Sequence, residues 1–139
     1  VRTLRKRPRG RWPIVLLVVA SAVVFGARGL SALPGETVVM QGLDKVTARV
    51  STFEIPIGHS VRFGTLQIYA RGCDRTPPED PPESAAFLEI FEMKPGERRN
   101  ALFQGWMFAS SPALSALEHP VYDVWVLECI PAATPATSP

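Results

Sequence analysis

From Leu43 onward, apolar residues recur at every second position in short runs cut by proline, glycine or charge. That period belongs to strands half-buried on a sheet, and it leaves little room for amphipathic helices. Val46, Ala48, Val50 and Thr52 alternate with Thr47, Arg49, Ser51 and Phe53, which predicts a first strand ended by Ile55-Pro56-Ile57-Gly58. Val61, Phe63, Leu66, Ile68 and Ala70 continue the pattern to Cys73, with Gly64 as a bulge or bend. Ala85 to Met93 is largely apolar on both sides, so it reads as a central strand covered on both faces. Leu102, Trp106 and Phe108 share one face of the next strand. Ser110-Ser111-Pro112 predicts a serine-capped entry into a helical turn over Ala113 to Glu118, stopped by Pro120. Val121 to Ile130 is the last strand. The expected fold is mainly β: a small antiparallel β-sandwich or barrel with one short helical turn.

The N-terminal end follows a different rule. Residues 1–30 carry seven cations and no acid, and Trp12 to Ala27 is a run of sixteen residues without a charge. As a helix that run spans about 24 Å, against roughly 30 Å for a hydrocarbon core. It reads as a retained transmembrane or signal-anchor helix, with a cleaved secretory signal as the alternative, since Ala27, Gly29, Ser31 and Ala32 offer small residues for a cut. Either reading exports the rest of the chain to the periplasmic side of the inner membrane. Removing residues 1–30 leaves eight cations against thirteen acids, a net charge of −5. A domain of that sign has no nucleic-acid footprint. The expected divisions are a basic region and anchor over 1–30, a linker over 31–42, a β domain over 43–130 and a disordered Pro/Ala/Thr tail over 131–139. Within the domain, Asp74 to Ser84 is a proline-rich charged loop with a stiff, extended reading.

Cys73 and Cys129 are the two cysteines, and each ends a predicted strand in an oxidising compartment. They are expected to form a disulfide closing a loop of about 57 residues, worth about 4 kcal/mol in the chain-entropy picture. A metal pair or redox couple is the weaker alternative, because C-x-x-C spacing is absent. Ser111 or Ser115, His119 and Asp123 allow a nucleophilic triad to be written, but without a nucleophile elbow or oxyanion glycines. A zinc site from His59, His119 and a carboxylate has no supporting spacing. The simpler expectation is that His119 hydrogen-bonds the C-terminus of the short helix. Trp106 and Trp125 are expected to pack as strand partners with Phe108 and Leu127. No catalytic, cofactor-binding or metal-binding residue is expected. Trp106, His119, Tyr122 and Trp125 form the candidate partner-docking surface.

The stretches GLDKVTARVSTFEIPIG, VRFGTLQIYARGC, PPEDPPESAAFLEI and GWMFASSPALSALEHPVYDVWVLEC resemble an alphaproteobacterial family, domain of unknown function 2155. The resemblance covers about residues 40 to 130, and Cys73 and Cys129 occupy that family's two cysteine positions. It carries no catalytic residues. It implies an exported protein whose relatives are often encoded beside a small accessory subunit of the proton-pumping respiratory NADH:ubiquinone oxidoreductase (complex I). The expected function is therefore a non-catalytic, membrane-anchored accessory subunit docked on the membrane arm of that complex. An independent cell-envelope β-domain binding a glycan or protein is the alternative.

Overall fold

A computed structural model describes residues 32–131. The helix expected within 1–30 and the tail from 132 lie outside the described residues. The strands are β1 (Leu33–Pro34), β2 (Thr37–Asp44), β3 (Arg49–Pro56), β4 (Ser60–Phe63), β5 (Leu66–Arg75), β6 (Ser84–Glu92), β7 (Asn100–Phe108) and β8 (Tyr122–Ile130). All pairings are antiparallel. One sheet runs β1-β5-β6-β7, with β4 also on β5, and the other runs β3-β2-β8. The fold is mainly β, with one four-residue 3-10 turn at Pro112–Ser115.

Alternation places one face of each sheet in a common apolar core. Leu66, Ile68 and Ala70 of β5, Ala86, Leu88 and Ile90 of β6 and Met107 of β7 come from the larger sheet. Val38 and Met40 of β2, Ile55 of β3 and Val124 and Val126 of β8 come from the smaller one. Leu117 enters from the β7–β8 connection, and Cys73 and Cys129 close the core at one end.

Three expectations need correction here. The segment read as a linker to Gly42 instead supplies β1 and β2, and β2 is the middle strand of its sheet. β2 keeps its alternation, with Val38 and Met40 facing the core, but Val39 is also buried on the outer face opposite the bulge of β8, so three buried residues run together and the alternation does not show. The first predicted strand starts too early. Lys45–Ala48 is a turn, because the Asp44 carboxylate accepts the amides of Val46 (2.9 Å) and Thr47 (3.1 Å), and Val46 projects at 77% exposure. The helix shrinks to the 3-10 turn, and Ser111 makes no side-chain capping bond.

Gly64 fixes the β4–β5 turn. Its φ is +58°, and the Tyr122 phenol occupies the space an added Cβ would need. Gly64→Ala is expected to cost about 2 kcal/mol, from left-handed strain plus displacement of Tyr122. The midpoint of urea unfolding is the measurement, and an unchanged midpoint refutes the close packing.

Candidate functional site

The four residues expected to form one docking surface lie in three different places. In β8, Val124 and Val126 point into the core, so Trp125 points to the outer face of the three-stranded sheet. In β7, Met107 points inward and Trp106 outward, on the outer face of the other sheet, where it meets Phe87 edge-on at 5.6 Å. Trp106 and Trp125 are therefore not strand partners, and they belong to separate surfaces. Sequence alternation gives the face within a strand but not which strands become neighbours.

His119 and Tyr122 sit at the end of the domain remote from the disulfide. The His119 ring stacks on Tyr122 (centroids 5.2 Å apart), and its side chain is 6% exposed. Its Nδ1 accepts the backbone amides of Val121 and Tyr122, each at 3.1 Å. Two donors aimed at Nδ1 place the ring hydrogen on Nε2, which donates to Glu92 Oε1 at 3.1 Å. Lys45 Nζ donates to the His119 carbonyl (2.7 Å) and to Asp123 Oδ1 (2.9 Å). His119 thus organises the turn into β8 rather than the end of the short helix. With both ring nitrogens engaged, none is free to take a proton from Ser111 or Ser115, and Asp123 pairs with Lys45 instead of His119. His59 lies exposed in the β3–β4 turn. Among the described residues, no three His, Cys, Asp or Glu side chains converge as a metal site.

The outer face of the three-stranded sheet mixes exposed apolar residues with polar and charged ones. Register puts Val50, Leu43 and Asp123 in one row and Thr52, Gln41 and Trp125 in the next. Glu54, Val39 and Glu128 form the third row, with Leu127 the extra residue of the bulge. Val50 is 55% exposed and Leu127 39%. Leu127 also borders a cleft of about 450 Å³ at the disulfide end, walled by Arg75, Pro77, Pro78 and Ser110. The proline-rich loop over this cleft is not extended: Asp80 N–H bonds Pro77 O, and Thr76 bonds both Pro81 and Glu83.

Three carboxylates sit below their ordinary range. Glu92 is lowered by the His119 hydrogen bond, against the effect of burial and with help from Lys94. For Glu83, burial pushes upward, but the hydroxyl and amide of Ser110 and the amide of Ser84 outweigh it. Asp44 is lowered by the amide of Thr47, against burial and with the amide of Val46. Groups depressed in the folded state contribute stability above their unfolded value, and lose it as pH falls through the folded one. The urea midpoint is expected to fall with acid below about pH 4.5, the ordinary glutamate value. Glu92→Gln, which still accepts from His119, is expected to flatten that fall. An identical acid limb in the variant refutes the contribution of Glu92.

Residues 38–129 match the family described as an uncharacterised protein conserved in bacteria (DUF2155). The span holds both cysteines and all of β3 to β7. An uncharacterised protein of Rickettsia prowazekii (strain Madrid E) is 32% identical over 87 residues, which is 63% of this chain. The match spans 56% of that relative's own length. No solved structure matches the chain.

Proposed function

The chain belongs to the bacterial DUF2155 family, and from that premise we propose that it is a non-catalytic, exported module that docks a protein partner. The observation that carries this reading is the outer face of the three-stranded sheet. Val50, Leu43, Trp125 and the exposed Leu127 give it apolar surface around Gln41 and Thr52, and Glu54, Asp123 and Glu128 add charge. Exposed apolar and aromatic residues set among charges suit a protein interface, in which aromatics supply affinity and charges supply orientation. We take the two sheets as a β-sandwich rather than a barrel. Supporting this, no described strand pairs into both sheets, and one core lies between them.

In this reading residues 12–27 anchor the chain in the inner membrane and the domain stands on its periplasmic side. The partner is the membrane arm of the respiratory NADH:ubiquinone oxidoreductase, supported by the genomic association of the family. In mildly solubilised membranes the chain is expected to co-migrate with NADH dehydrogenase activity on a native gel. Val50→Asp, at an exposed position, is expected to release it without loss of fold. A chain that never co-migrates refutes this partner, and mass spectrometry of co-eluting proteins then identifies another. A second reading, a glycan-binding envelope domain, is favoured by the 37% exposure of Trp106.

A further inference from the structure

The outer face of the five-stranded sheet carries a chemistry that partner docking does not use. Register places Arg62, Gln67 and Phe91 in one row and Tyr69, Glu89 and Gln104 in the next, with Phe87 and Trp106 beyond. The guanidinium of Arg99 lies 3.5 Å from the centre of the Phe91 ring, and that of Arg71 lies 4.8 Å from the centre of Tyr69. Glu89 is taken up by Arg71 at 2.8 Å and by Gln104 at 3.2 Å. Among the described residues, neither Arg62 nor Arg99 has a carboxylate within ion-pair distance. The face therefore presents uncompensated guanidinium groups on an aromatic floor, in a domain whose overall charge is negative.

We propose that this face rests on anionic phospholipid headgroups of the membrane that anchors the chain. Charge favours an anion, because guanidinium forks match phosphate oxygens and the local acid is already paired. The rings favour an interface, where an amphipathic tryptophan such as Trp106 settles at headgroup depth. A sugar would need bare ring faces for stacking, and the Phe91 and Tyr69 rings already carry Arg99 and Arg71. The chain itself supplies the proximity. The apolar run ends at Ala27, and β1 begins at Leu33 against Arg75 of β5, at the Trp106 end of this sheet and eight residues along β5 from the Gln67 row. The five residues between Ala27 and Leu33 reach at most about 18 Å when extended. A tether so short keeps the domain beside the bilayer at high effective concentration, so weak contacts of this face suffice. The inference rests on the anchor part of the proposed function and is independent of the protein partner.

The test uses the full chain with Trp12→Phe and Trp125→Phe, leaving Trp106 as the reporter, inserted into vesicles with lipids brominated near the headgroup. In vesicles containing a third phosphatidylglycerol, Trp106 emission is expected to be quenched about two-fold more than in pure phosphatidylcholine. Arg62→Glu with Arg99→Glu is expected to remove the difference, and the corresponding lysine pair to keep most of it. Equal quenching in both vesicles overturns the lipid face. Displacement of Trp106 from anionic vesicles by a soluble acidic polysaccharide also overturns it, in favour of a glycan site. Loss of the lipid effect with continued co-migration on the native gel leaves the proposed function standing. Release of the chain from both vesicles by an alkaline wash overturns the anchor on which both ideas rest.

Discussion

Replacing both Cys73 and Cys129 with alanine is expected to destabilise the domain by about 4 kcal/mol, more than any other change at two side chains of this size. The bridge spans a sequence separation of 56 with its Cα atoms 5.9 Å apart. A loop of that length gives roughly 4 kcal/mol of lost denatured-state entropy. A domain of this size is stable by about 5–15 kcal/mol, so a large part of the total is at stake. The expected fall in Tm is about 15–30 °C, followed by circular dichroism of the full chain. The position of the bridge adds to the effect. Cys73 lies near the end of β5 and Cys129 near the end of β8, so the link ties together two sheets that share no strand pairing among the described residues. Gly35 passes directly over it, with its amide bonded to the Cys73 carbonyl at 2.8 Å. An unchanged Tm in the alanine pair, or under reduction, removes the bridge from the list of stabilising features.

Where a strand faced one core without interruption, its pattern could be read directly. Leu66, Ile68 and Ala70 and then Ala86, Leu88 and Ile90 alternate in sequence and are buried in the fold. Bulges hid the rest. In β2 Val39 is buried on the outer face between the core residues Val38 and Met40, so three buried residues run together, and in β8 a bulge adds Leu127. The false start of β3 had a readable warning, since Asp44 is a residue whose carboxylate captures the amides that follow it. The outward-facing aromatics were legible only in part. Trp106 and Trp125 both read as large aromatics on strands, yet their separation depends on β7 and β8 belonging to different sheets. The arginine–aromatic face was missed because Arg99 reaches Phe91 from across the β6–β7 turn, a contact that no period announces.

His119→Ala is expected to cost about 3 kcal/mol, and the way its loss can be repaired identifies its role. The ring is nearly buried, and its removal strands the amides of Val121 and Tyr122 and takes the donor away from Glu92. Each buried group left unpaired costs about 1–3 kcal/mol, with water recovering part of it at the edge of the fold. Asparagine places its Oδ1 near the position of Nδ1, so His119→Asn is expected to restore the amide bonds while leaving Glu92 with Lys94 alone. The acid limb of stability separates these two halves. Combined with Glu92→Gln, His119→Ala is expected to show no further loss of acid dependence, because the group that titrates at this contact is already gone. If His119→Ala unfolded at the wild-type urea midpoint, the ring would be dispensable for the turn into β8. Its two backbone bonds would then carry no weight in stability.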